Sequence, residues 1–151
     1  MTPARLHAAA LAGSADDTEA AFYDAMQHGD ADAAMVCWAD EDDIVCIHPG
    51  SARLVGPVAI RAGYEAMFRS GVVLVTPRRV RKVETVTSAV HSVVERVEVM
   101  TDAGLRAGYV TATNVYHKTP QGWRLVVHHA STGGAGLGDD AESAGGPQTL
   151  H

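Results

Sequence analysis

Apolar residues repeat with helical spacing near the start of the chain. After Asp16 this pattern continues to Met26, and Gly29 then interrupts it. Ser14, followed three residues later by Asp17, is a variant of the capping box that begins many helices. The segment is therefore predicted to be an amphipathic helix that begins at Ser14 and ends at Gly29.

A second short helix and a buried strand are predicted next. Asp30 can cap a helix that carries Cys37 and Trp38 toward the core. The four residues 44–47 are apolar and three of them are β-branched, which is typical of a buried strand. The dipeptide Pro49-Gly50 ends that strand.

The rest of the chain predicts one more helix and then only strands. Gly56-Pro57 begins the helix, because proline suits the first helical position, and Gly71 ends it. Four largely alternating segments follow: "VVLVTPRRVRKVETVT", "VHSVVERVEVMT", "LRAGYVTATNVYHK" and "GWRLVVHHAST". Helices followed by a meander of long antiparallel strands are typical of an α+β domain with helices on one face of a curved sheet.

Length and composition indicate a single domain. The chain has 151 residues, of which 46% are hydrophobic, enough for one sizeable core. We expect a folded domain over 15–132, a disordered leader over 1–14 and a flexible tail over 133–151, where six of the fifteen glycines lie.

Charge and cysteine usage exclude several classes of protein. The net charge of −6 disfavours nucleic acid or an anionic membrane as a partner, because both require a basic face. No run of about 18 apolar residues is present that could span a bilayer. Cys37 and Cys46 lack the spacing of a redox or zinc motif, so we expect free thiols in a cytoplasmic protein.

His48, in the stretch "CIHPGS", is the first candidate for chemistry. It follows the predicted strand, and alternation places its side chain on the face of Ile44 and Cys46. One interpretation is a structural histidine bonded to a nearby carbonyl. The other is a general acid or base, since an imidazole titrates near neutral pH and Pro49 fixes the backbone behind it.

The last strand contains two further candidates, His128 and His129. Neighbouring residues of a strand point to opposite faces, so only one of them can enter a given cavity. We expect His129 to enter the pocket, on the face that carries Trp123 and Leu125. The alternative is that both histidines are only polar residues near the end of a strand.

Other polar and aromatic residues complete the candidate site. No histidine or cysteine has the spacing of a metal motif and no glycine-rich loop joins a strand to a helix, so we expect neither a metal nor a cofactor. The predicted ligand contacts are Tyr23, Trp38, Tyr64, Tyr109, Asn114 and His128. The alternative for Tyr23, Trp38 and Tyr64 is a place in the core or the cavity wall, and for Tyr109 that of an ordinary half-buried strand residue.

The layout resembles the nuclear transport factor two-like superfamily, and within it the SnoaL-like branch. The resemblance rests on "AFYDAMQHGDADAAMVCWADEDDIVCIHPG", "LVGPVAIRAGYEAMF" and "YVTATNVYHKTPQGWRLVVHHAS", in the family's order over about residues 16 to 131. It implies a cone-shaped domain in which a strongly bent, mixed and mainly antiparallel sheet wraps around three helices. It also implies a deep apolar pocket and a homodimer formed through the outer sheet face.

The resemblance suggests a role for His48. In ketosteroid isomerases of this superfamily the first strand ends in Asp-Pro, whose carboxylate carries a proton, and the matching dipeptide here is His48-Pro49. The isomerase's oxyanion tyrosine falls on Phe22, one residue from Tyr23, and its protonated aspartate falls near Thr113 or Asn114. Because neither donor is carried over, steroid isomerisation itself is not expected.

Two functions follow as hypotheses. The first is a cofactor-independent isomerase, cyclase or dehydratase that acts on an apolar carbonyl compound, with His48 as acid and base and His129 or Asn114 assisting. The second is a noncatalytic homodimeric module that binds a small apolar molecule or a partner.

Overall fold

The computed structural model describes residues 13–132. Three helices and six strands make up this part of the chain. In chain order they are α1 (Ala15–His28), α2 (Ala31–Val36), β1 (Val45–Ile47), β2 (Leu54–Val55), α3 (Pro57–Arg69), β3 (Val72–Glu84), β4 (Ser88–Thr101), β5 (Gly104–Thr119) and β6 (Gly122–Thr132). The expected tail, and the expected leader apart from Gly13 and Ser14, lie outside the described residues.

Helix α1 begins and ends as its sequence predicts. The Ser14 hydroxyl accepts a hydrogen bond from the Asp17 backbone N–H at 3.2 Å. Gly29 closes the helix with a φ of 61°, a left-handed conformation that glycine adopts without steric cost. These two caps set the length of α1 and so decide which of its residues face the sheet.

The strands form one mixed sheet in the order β2-β1-β6-β5-β4-β3. Strands β1 and β6 pair in parallel and all other neighbours pair in antiparallel fashion. The sheet is not closed, so β2 and β3 are its edges, and the predicted α+β cone is confirmed. The two-residue strand β2 was not predicted.

Strand β6 contains an irregularity that matters for the site. Tyr116 of β5 pairs with Leu125, but the preceding residue, Val115, pairs with Val127. Val126 is therefore an extra residue, as in a β-bulge, and the alternation of side chains changes phase there.

The core lies between the helices and one face of the sheet. Phe22 of α1, Ile60 and Tyr64 of α3 and Leu125 of β6 have no exposed surface. Burial of such side chains contributes about 1.5–3 kcal/mol each. No helix within residues 13–132 is long and apolar enough to cross a membrane.

Candidate functional site

A partly enclosed cavity of about 130 Å³ lies between the helices and the sheet. Three titratable side chains contribute to its wall: His48, Glu95 and His128. The other residues of the wall are apolar, namely Met26, Pro49, Met67, Val75, Val97, Val110 and Ala130. An apolar cavity with a few convergent polar groups is the usual form of a small-molecule site.

His48 follows β1 directly and is half-buried. Its Nε2 lies 3.7 Å from Cys46 Sγ, so the two side chains share a face as alternation predicts. The Tyr64 ring meets the imidazole edge to face, with centroids 5.4 Å apart. Burial lowers the pKa of His48 below its usual 6.5, so the ring is neutral at neutral pH and can accept a proton.

His128 is almost completely buried on β6. Its Nδ1 lies 2.5 Å from Asn114 Oδ1, and its ring centroid is 6.3 Å from that of His48. Burial, with smaller contributions from the charges of His48 and His129, lowers the pKa of His128 to about 3. His128 is therefore a neutral imidazole in the folded protein.

Glu95 of β4 is the third titratable group, and it is 4% exposed. Burial raises its pKa to about 7, the charge of Glu19 adds to the rise, and a hydrogen bond from Tyr23 opposes it. A carboxyl group with such a pKa exists in both protonation states near neutral pH, as a general acid or base requires.

A hydrogen-bond chain joins His128 to Glu95. The Tyr23 hydroxyl donates to Glu95 Oε2 at 2.6 Å and accepts from Asn114 Nδ2 at 2.9 Å. The Asn114 amide oxygen then faces His128, whose Nδ1 must carry a hydrogen to donate to it. This tautomer follows from the hydrogen-bond network, and it leaves Nε2 of neutral His128 with a free lone pair.

A second buried carboxylate extends this network away from the cavity. Glu19 Oε2 accepts from the Tyr116 hydroxyl at 2.7 Å and from Asn114 Nδ2 at 3.3 Å. His91 Nδ1 lies 2.8 Å from the same oxygen. Several charge-assisted hydrogen bonds compensate for the burial of this carboxylate.

The expectation that His129 enters the pocket is wrong, because its side chain is exposed and His128 occupies the inner face. Strict alternation would group His129 with Leu125, but the extra residue Val126 reverses the phase between them.

Tyr109 was also expected to contact a ligand. It is 42% exposed, because it lies on the face of β5 opposite that of Asn114.

The remaining predicted contacts lie behind the cavity wall. Tyr23 and Asn114 are buried and hold Glu95 and His128 in place. Trp38 Nε1 donates to the Tyr64 hydroxyl at 3.1 Å, so these two side chains form the packing behind His48. None of these four residues belongs to the cavity wall.

Sequence reasoning missed Glu19, His91 and Glu95. A signal was present on β4, where His91, Val93, Glu95 and Val97 alternate on one face and two of the four are ionisable. Ionisable residues at apolar positions of a strand indicate a buried polar site. Glu19 has no such signal, because it follows Asp16 and Asp17 at the acidic start of α1.

A surface groove adjoins the cavity. It has a volume of about 470 Å³ and shares His48, Pro49 and Met67 with the cavity wall. Its other residues include Leu54 and Gly63. His48 is therefore accessible from the outside as well as from the cavity.

The open mixed sheet packed against three helices is an NTF2-like fold. A family model of the SnoaL-like domain matches residues 16–133, and the chain belongs to this family. A search of curated proteins found no match to the sequence.

Three solved structures illustrate the likeness. A protein from Thiobacillus denitrificans, whose name proposes a calcium/calmodulin-dependent protein kinase type II association domain, is 33% identical over 79% of this chain and 94% of its own, with a TM-score of 0.70. A protein from Streptomyces avermitilis, whose name proposes a dehydratase of the NTF2-like family, is 28% identical over 78% and 93%, with a TM-score of 0.68. A ketosteroid isomerase-like protein from Erwinia carotovora atroseptica is 17% identical over 78% and 92%, with a TM-score of 0.65, and shows the fold alone.

Proposed function

We propose that this protein binds a small apolar carbonyl compound and catalyses a cofactor-independent proton transfer on it, as an isomerase, cyclase or dehydratase. The observation that carries the proposal is the convergence of His48, Glu95 and His128 on one apolar cavity. Titratable groups with shifted pKa values in an enclosed site are typical of acid and base catalysis.

Neutral His48 is the proposed base. It takes a proton from the carbon next to the substrate carbonyl, and protonated Glu95 donates a hydrogen bond to the carbonyl oxygen as negative charge develops there. The imidazolium of His48 then returns the proton to another carbon of the enolate, or to a leaving hydroxyl group in a dehydration. The lone pair of His128 Nε2 accepts a hydrogen bond from a hydroxyl group of the substrate, such as the leaving group of a dehydration.

The cavity limits the part of the substrate that reacts. Its volume of about 130 Å³ is close to the roughly 150 Å³ that accommodates benzene in a protein core. A ring or chain of about six non-hydrogen atoms therefore fits beside the two histidines. Larger substrates would extend past His48 into the adjoining groove.

Screening small carbonyl compounds by thermal shift, followed by turnover assays, tests this proposal. We expect His48→Ala and Glu95→Gln each to reduce kcat by about 100-fold or more, while the compound still binds. His129→Ala is the matched control, since this exposed histidine lies outside the cavity wall. Equal turnover in the wild type and both cavity variants would overturn the proposal.

A noncatalytic homodimeric module remains the second candidate. The name of the 33% identical Thiobacillus protein, which proposes an association domain, favours it. The outer sheet face also exposes Val90, Leu105 and Tyr109, which a partner copy could cover. Ligand binding without turnover, together with a dimer that Tyr109→Glu dissociates in sedimentation experiments, would support this second candidate.

The proposal includes a cytoplasmic location. Cys37 and Cys46 are buried free thiols, which fits a reducing compartment. Burial raises the pKa of each thiol to about 12, so neither serves as a nucleophile in the proposed reaction.

A further inference from the structure

A second group of ligand-type side chains lies at the start of α1, outside the proposed active site. His91 of β4 is completely buried, and its Nε2 has no hydrogen-bond partner among the described residues. This nitrogen points toward Asp16 Oδ1 at 3.8 Å and Glu84 Oε1 at 4.0 Å. A buried nitrogen without a hydrogen-bond partner is rare in proteins and indicates that its partner is a group that the protein itself does not supply.

The other ring nitrogen determines the form of this imidazole. His91 Nδ1 lies 2.8 Å from the Glu19 carboxylate, which can only accept, so Nδ1 carries the hydrogen. In the neutral ring Nε2 then offers a lone pair. A carboxylate that fixes a histidine in this way, with the opposite nitrogen free, is the arrangement found behind metal-binding histidines.

The distances suit an ion better than a direct contact. Separations of 3.8 and 4.0 Å exceed hydrogen-bond length, so neither carboxylate shares a proton with His91. A tetrahedral zinc ion holds its ligand atoms about 3.4 Å apart. Asp16 and Glu84 are half exposed, so each carboxylate oxygen needs to approach His91 Nε2 by only about half an ångström to reach that spacing.

We propose that His91, Asp16 and Glu84 form a binding site for a divalent transition-metal ion such as Zn²⁺. The three ligand atoms lie within 4.8 Å of one another and come from three elements, β4, α1 and β3. Imidazole with two carboxylates suits Zn²⁺ better than Mg²⁺ or Ca²⁺, which prefer oxygen ligands alone. A water molecule completes the coordination, and the ion ties the start of α1 to the edge of the sheet.

Lys82 competes for this site. Its ammonium group lies 2.8 Å from Asp16 Oδ1, so a metal ion must displace it. Removal of the lysine charge should therefore strengthen metal binding, whereas removal of the carboxylates should weaken it.

Calorimetric titration of the chelator-treated full chain with Zn²⁺ tests the site. We expect one ion per chain, at least about tenfold weaker binding by Asp16→Asn/Glu84→Gln, and several-fold tighter binding by Lys82→Met. Thermal unfolding should shift upward with Zn²⁺ in the wild type and not in the double variant. Bound Co²⁺ should give the visible absorption of a tetrahedral site.

The control is Glu41→Gln/Asp42→Asn, which removes two exposed carboxylates elsewhere. It should bind Zn²⁺ as the wild type does. Absence of Zn²⁺ binding by the wild type, or equal binding by the wild type and Asp16→Asn/Glu84→Gln, overturns the proposal. Both carboxylates are exposed and outside the core, so the double variant should fold and the comparison stays informative.

Discussion

The Tyr23 hydroxyl donates a hydrogen bond of 2.6 Å to Glu95 Oε2 inside the core. The two residues are 72 positions apart, and their contact joins helix α1 to strand β4. It stabilises the negative charge of a carboxylate that burial would otherwise keep protonated. Tyr23 is thus a positioning residue that sets both the orientation and the acidity of Glu95.

Tyr23→Phe should raise the pKa of Glu95 further. The hydrogen bond from Tyr23 lowers this pKa in the wild type, and phenylalanine keeps the ring packing against Phe22 while it removes the donor. Titration of the carboxyl carbon of Glu95 by NMR measures the change. Tyr109→Phe, on the outer face, is the control and should leave the titration unchanged. A Glu95 pKa equal to or below the wild-type value would contradict the assigned role of Tyr23.

Glu95→Gln should stabilise the protein at alkaline pH. The folded-state pKa of about 7 lies above the ordinary 4.5, so the stability that Glu95 contributes is complete below 4.5 and is lost as the pH rises through 7. Glutamine has no such loss and still accepts the bond from Tyr23. Between about pH 4 and pH 8, we expect the free energy of unfolding of the variant to rise by roughly 3 kcal/mol relative to that of the wild type.

Urea denaturation over this pH range measures the effect. Glu65→Gln, an exposed carboxylate on α3, is the matched control and should follow the wild type at every pH. If the free energy of unfolding of Glu95→Gln also depends on pH as that of the wild type does, then the carboxyl group is not held protonated in the folded protein.

The free energy of unfolding of His128→Gln, relative to the wild type, should change with pH in the opposite direction to that of Glu95→Gln. The folded-state pKa of about 3 lies below the ordinary 6.5, so the stability from neutral His128 is present above 6.5 and is lost as the pH falls toward 3. The wild type loses about 1.4 kcal/mol per pH unit in this window through His128, and the variant does not.

Glu95 and His128 therefore oppose each other in mildly acidic solution. Between their ordinary values of 4.5 and 6.5, rising pH removes stability through Glu95 and adds it through His128. Relative to the wild type, the free energy of unfolding should rise with pH in Glu95→Gln and fall with pH in His128→Gln. His129→Gln, a change of an exposed histidine, is the control and should follow the wild type. Profiles of the two cavity variants that tilt the same way would refute this balance.

Gly63→Ala should restrict access to His48 at little cost in stability. A Cβ atom at this position of α3 would lie 3.6 Å from His48 Nε2 and 2.5 Å from Leu54 Cδ1. The Leu54 side chain can move aside, and alanine favours the helix by up to about 1 kcal/mol. The free energy of unfolding should change by less than about 1 kcal/mol while KM for a groove-spanning substrate rises. Ala62→Ser, an exposed change on the same helix, is the control.

Local patterns in the sequence predicted much of the fold. Helix α1 depends on caps at Ser14 and Gly29 that involve only near neighbours in the chain. The same holds for His48, since its position two residues after Cys46 on a short regular strand sets its face. Periodicity and capping are short-range effects, so a single sequence is enough to predict them.

The polar network required the tertiary structure. Glu19 meets His91, and Tyr23 meets Glu95, only because side chains of α1 reach the inner face of β4, across 72 residues of chain. Each of them alone is an ordinary polar residue in its own segment. Which buried groups become partners depends on the register between elements, and no local pattern encodes that register.

The contrast is clearest on the last strand. The sequence by itself determined that His128 and His129 must face opposite ways, because the backbone of a strand alternates. Only the pairing of β6 with β5 decided which of them enters the cavity, since the extra residue Val126 reverses the alternation between Leu125 and His128. A bulge forms where two strands must match each other, and this requirement belongs to the sheet and not to either strand alone.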